Sequence, residues 1–65
     1  MYFVFYKTSD VFAAEECIQE KGIQVEIVPT PVQDKAYCGV CVQVSAADLE
    51  KVQAVLAGMK YQLIS

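Results

Sequence analysis

Cys38 followed by Gly39 is the place in this chain best suited to chemistry. The pair closes a polar stretch, Pro29-Thr30-Pro31-Val32-Gln33-Asp34-Lys35-Ala36-Tyr37, and opens an apolar one, Val40-Cys41-Val42. A cysteine is more often a small buried hydrophobe than a reactive group. This one falls where a loop meets a sheet edge, and the glycine beside it leaves the backbone approachable. A thiolate in such a position can act as a nucleophile. Few other residues compete: the chain has no His, no Trp, no Arg and no glycine-rich phosphate loop.

Cys38 and Cys41 spell C-x-x-C, which invites a redox or metal reading. Three extended residue steps separate Cα atoms by ~10 Å, whereas a disulfide needs less than ~7 Å. An intramolecular disulfide would therefore require a bulge or turn at Gly39. Zinc needs four ligands, and no His is present to join Cys38, Cys41 and the distant Cys17. Cys41 is expected on the open side of a sheet. Cys17 is expected to pack at the apolar edge of a helix.

The composition bounds the rest. Sixty-five residues form one domain, residues 1–65. A chain of this length buries only ~60% of its unfolded surface, so its own core is marginal. Yet 55% of it is hydrophobic, which excludes disorder and points to self-association as a sink for apolar surface. The net charge is −3. That argues against nucleic acid, which requires clustered cations. No apolar run approaches the ~18 residues of a membrane span. Met1-Tyr2-Phe3-Val4-Phe5-Tyr6 lacks the basic region and cleavage site of a signal peptide. An odd number of cysteines argues against a closed disulfide framework. The cytoplasm is the expected compartment.

The elements that must position Cys38 can be read from periodicity. Met1–Tyr6 is aromatic and β-branched and predicts a strand buried on both faces. Thr8-Ser9-Asp10 offers N-cap oxygens. Val11–Lys21 predicts a helix, with Val11, Ala14 and Ile18 on one stripe and Gly22 as its C′ residue. Ile23–Val28 alternates as a half-buried strand that Pro29 ends. Thr30–Tyr37 is a loop. Val40–Val44 alternates again, with Val40, Val42 and Val44 against Cys41 and Gln43. Ser45 predicts an N-cap, with Asp48 three residues on. The second helix runs to about Ala57 with Leu49, Val52, Val55 and Leu56 inward. Gly58 ends it, and Met59–Ile64 is the last strand.

The order is β-α-β-β-α-β, an α+β ferredoxin-like plait. Right-handed crossovers set an antiparallel sheet of order 4-1-3-2 with both helices on one face. The start of strand 3 then lies beside the end of strand 1. Cys38 falls near Lys7, Thr8 and Ser9, where a helix N-terminus favours an anion. With Lys7 and Lys35 at hand, a thiolate there is favoured. The uncovered face carries Gln24, Glu26, Val28, Cys41, Gln43, Lys60, Gln62 and Ile64. Strand 1 adds either Phe3 and Phe5 or Tyr2, Val4 and Tyr6. An RNA-binding plait also shows aromatics here, but with basic residues that this chain lacks. Sheet-to-sheet self-association explains an aromatic stripe better.

Pro29-Thr30-Pro31, then Cys38-Gly39, then Ser45-Ala46-Ala47-Asp48-Leu49-Glu50-Lys51-Val52 resemble the selenium/sulfur carrier-like family of short bacterial proteins. Thr8-Ser9-Asp10 with Ala13-Ala14-Glu15, and Gly22-Ile23, fit the same pattern over nearly the whole chain. The resemblance implies a cytoplasmic protein carrying a persulfide or selenopersulfide on Cys38. The family usually has an Arg after the Pro-Thr-Pro stretch and small hydroxyl residues before the cysteine. Here Val32 and Lys35-Ala36-Tyr37 stand there, and Lys35 is the cation available in place of the Arg. Cys41 is not part of the pattern.

Residues and resemblance together point to a carrier rather than an autonomous enzyme. Cys38 would hold the sulfur or selenium. Thr8, Ser9 and Lys35 would stabilise its thiolate, and Gly39 would admit a partner. The partners would be protein donors and acceptors, with no cofactor, nucleic acid or membrane. The alternative is a non-catalytic regulatory or assembly module acting through the open sheet face. Thiol reactivity separates the two.

Overall fold

The computed structural model describes residues 1–31 and 36–64. The chain folds as β1 (Tyr2–Val4), α1 (Thr8–Glu20), β2 (Glu26–Pro29) and β3 (Val40–Gln43), followed by a short 3₁₀ turn over Ala46–Asp48. That turn leads into α2 (Leu49–Val55), and β4 (Gln62–Ile64) completes the sheet. The strand order is β2-β3-β1-β4, which is 4-1-3-2 read from the other edge. All neighbours run antiparallel. The fold is the ferredoxin-like α+β plait expected from the alternation pattern.

Both helices lie on one face. Val11, Ala14 and Ile18 from α1 meet Phe3, Phe5, Val42 and Val44 from the sheet, and Val52 and Leu56 from the α2 side close the cluster. Phe3 and Phe5 are fully buried, and each contributes roughly 1.5–3 kcal/mol by leaving water. Tyr61 holds them from the side, with its ring edge-on to Phe3 at 4.9 Å. The two apolar sets of strand 1 are thus resolved: the phenylalanines take the core, Tyr2 and Val4 take the other side of the pleat, and Tyr6 lies at a bend beyond the strand.

Several elements differ from their sequence expectation at the ends. The strands are shorter, because ladder pairing stops where the chain bends toward each helix. Helix α1 begins at Thr8 rather than Val11. Its N-cap is Lys7, extended at φ −126° and ψ 139°, and no side chain caps it. Thr8 and Ser9 therefore occupy the first turn instead of the cap. Where the chain leaves its extended conformation fixes the cap position, and the short link after β1 ends at Lys7. Asp10 in that turn complements the helix dipole.

The other ends follow the expected chemistry. Ser45 Oγ accepts from the Ala47 amide at 3.3 Å. At the end of α1 the Gly22 amide donates to the Gln19 carbonyl (2.9 Å) and the Ile23 amide to Ile18 (3.4 Å). That pair of bonds is a Schellman closure, and it puts Gly22 at φ +75°. Pro29 is the last residue of β2 and pairs with Val40; β2 is an edge strand, where a missing N–H is tolerated.

Candidate functional site

Cys38 sits two residues before β3 and is half-buried. Its amide donates to the Phe5 carbonyl at 3.0 Å, which ties it to the chain just after β1. It therefore lies beside the segment leading into α1, as the topology requires. Its side chain packs against the edge of the core. The thiol donates to the Val40 carbonyl at 2.9 Å. That bond uses the sulfur's proton, so the sulfur must turn away from Val40 before it can attack anything.

Gly39 is exposed. A Cβ placed on it would meet nothing within 4 Å, and its φ is outside the left-handed region. Neither backbone strain nor crowding therefore calls for glycine here. The step beside the thiol is simply left bare.

The residue that fixes this step is one to which the sequence reading assigned no role. Thr30 lies between Pro29 and Pro31, neither of which has a backbone N–H. The one amide of that tripeptide, Thr30 N–H, donates to the Gly39 carbonyl at 3.0 Å. The Thr30 hydroxyl donates to the Cys38 carbonyl at 2.7 Å. Both carbonyls of the Cys38-Gly39 step are thus held by one residue. The available signal was the Pro-Thr-Pro string, which leaves a single backbone donor beside a short hydroxyl.

Cys41 is fully buried in β3, opposite Val28. Carrying the β1–β3 register on by one residue sets it level with Val4 on the helix-free face. Its thiol points to the Pro29 carbonyl at 3.8 Å, a long contact. Burial pushes this thiol above its ordinary range; a hydrogen bond from Thr30 works the other way, and nearby Cys38 adds to the rise.

The remaining candidates are less closely gathered. Lys7, Thr8 and Ser9 are exposed. Among the described residues, no hydrogen bond joins their side chains to Cys38. Lys35 lies outside the described residues. Tyr37, adjacent to Cys38, stacks on Tyr6 with ring centroids 5.1 Å apart. Cys17 corrects an expectation: it is exposed on α1 rather than packed. All three cysteines are free thiols. No three His, Cys, Asp or Glu side chains among the described residues converge as a metal site.

Residues 1–64 match the family described as "Putative Se/S carrier protein-like". The chain belongs to this Se/S carrier-like family. No curated protein and no solved structure matches it. Family membership covers essentially the whole domain, so the Cys38-Gly39 step, the Thr30 clamp and the plait that holds them all lie within the matched span.

Proposed function

We propose that this Se/S carrier-like domain carries sulfane sulfur, or its selenium equivalent, on Cys38 and passes it between partner proteins. The observation that carries the reading is the Cys38-Gly39 step itself. A half-buried thiol stands beside a bare glycine whose conformation does not demand glycine. Such a step lets another protein's sulfur come close. Half-burial shields a bound persulfide from water and small thiols.

The transfer is an exchange at sulfur. Cys38 turns from the Val40 carbonyl and loses its proton to solvent. The thiolate attacks the terminal sulfur of a donor protein's persulfide. A new S–S bond forms on Cys38, the donor's S–S bond breaks, and the donor cysteine leaves as thiolate. An acceptor thiolate repeats the step on the outer sulfur of the Cys38 persulfide. No net oxidation occurs and no cofactor is required. Lys7, Thr8, Ser9 and Lys35 belong to this reading as groups that would favour the anion, through charge and the α1 N-terminus.

The test is intact-mass measurement after incubation with a cysteine desulfurase and free cysteine. One added sulfur atom is expected on the protein and on Cys17→Ser. Cys38→Ser should gain none while keeping its fold, because a loop-edge thiol contributes little core. Loading that survives in Cys38→Ser, or that follows Cys17, rejects the assignment.

A further inference from the structure

We infer that Thr30 is the positioning residue of the carrier thiol: its hydroxyl and amide together hold the Cys38-Gly39 step in register for protein-to-protein transfer. This rests on the carrier reading above and names the residue that would make the site specific. Three observations bear on it.

The first is the pair of bonds. Thr30 is the donor to two successive carbonyls, at 2.7 Å from its hydroxyl and 3.0 Å from its amide. One residue therefore fixes both peptide planes that flank the Gly39 Cα, the Cys38–Gly39 and the Gly39–Val40 peptides. The second is the local sequence. Pro31 biases Thr30 toward extended backbone, and β-branching restricts its χ1. The hydroxyl is thus aimed before any partner arrives. The third is its place between the two cysteines. The Thr30 hydroxyl holds the Cys38 carbonyl, while the Cys41 thiol turns to the carbonyl of the preceding residue, Pro29.

The clamp predicts opposite effects on two reactions of the same sulfur. With the hydroxyl gone, the Cys38 segment loosens and its thiol swings out from Val40 more often. A small alkylating reagent gains access. Transfer to or from a protein loses, because it needs the sulfur in one place relative to a docked partner.

The variants are Thr30→Val and Thr30→Ser, both in a Cys17→Ser background so that the exposed thiol does not interfere. Valine keeps β-branching and the backbone amide but lacks the hydroxyl. Serine keeps the hydroxyl. For one hydrogen bond lost, Thr30→Val should alkylate at Cys38 with iodoacetamide roughly three- to ten-fold faster, and load sulfur from a desulfurase slower by a similar factor. Thr30→Ser should stay within about twofold of the parent in both. Cys41 labelling, read by peptide mass in the same samples, should not change. Equal Cys38 rates in Thr30→Val and parent overturn the inference. So does faster labelling of Cys41 in step with Cys38, which means general opening, and so does Thr30→Ser behaving like Thr30→Val. If the parent takes no sulfur at all while the alkylation pattern holds, the carrier reading falls and the clamp stands.

Discussion

Cys41 carries a consequence for stability that is separate from transfer. Burial raises its pKa above the ordinary thiol range, against the Thr30 hydrogen bond and with help from Cys38. The folded thiol therefore holds its proton to higher pH than the unfolded one. Such a group contributes stability that is fully present below the unfolded pKa and is lost as pH rises through the folded pKa. The parent should thus weaken in denaturant melts as pH climbs from about 8.5 upward. Cys41→Ala removes the titrating sulfur and should flatten that part of the curve, at a cost of about 1 kcal/mol near neutral pH for the small cavity. The comparison is between parent and variant at each pH, since every other group is common to both. Parallel curves would show that Cys41 is not the group responsible. Cys38 illustrates how much of the site was legible. Its type, its glycine and its loop-to-strand position were all in the sequence. The Thr30 bonds were not, because they join residues across a loop whose path no local pattern determines. The exposure of Cys17 was also hidden. Cys17 lies about 60° around the helix from Ala14 and about 100° from Ile18, at the edge of the buried stripe, and the apolar character of cysteine does not say on which side of that edge it falls.

At the scale of elements, ends decide what the plait can hold. Helix α1 stops at a Schellman closure in which Gly22 takes φ +75°, and the turn before β4 puts Gly58 at φ +95°. A side chain at either position meets its own backbone, although nothing else crowds it within 4 Å. Gly22→Ala should therefore cost about 1 kcal/mol and lower the melting temperature by roughly 4–8 °C for a domain this small. Gly58→Ala should behave alike. Gly39→Ala is the control: its φ is outside the left-handed region and its surroundings are open, so calorimetry should find its midpoint unmoved. An equal drop for all three would mean that backbone conformation is not the cause. These closures were legible because each glycine follows an amphipathic run. Strand lengths were less so. Met1–Tyr6 looks uniformly strand-like, yet ladder pairing covers Tyr2–Val4. Phe5 is held instead by its buried ring and by the Cys38 amide on its carbonyl. Periodicity reports which side chains are buried; it does not report which carbonyls a neighbouring strand will reach.

At the scale of the whole molecule, the described residues leave one sheet face without a helix, and that face is partly closed already. Val4 and Cys41, at its centre, are fully buried. Tyr2, Val28 and Ile64 around them are half-buried, with Glu26, Gln43 and Gln62 interspersed. The large hydrophobics that stand well exposed, among the described residues, are Tyr6 and Phe12. Tyr6 lies beyond the end of β1, stacked on Tyr37; Phe12 is on α1. We propose that a second copy covers the open face, because a 65-residue, 55% hydrophobic chain has little core of its own to spare and gains by sharing. The ring of half-buried apolar side chains is modest in area, so the association should be weak and concentration-dependent. Sedimentation across the micromolar range should show the mass rising from 7.2 kDa toward twice that value. Tyr2→Glu places a charge within the ring and should hold the protein at the monomer mass, while Phe12→Ser should not. The reverse pattern moves the interface to the outer surface of α1. A single monomer mass for the parent at every concentration rejects self-association and leaves the open face to another partner.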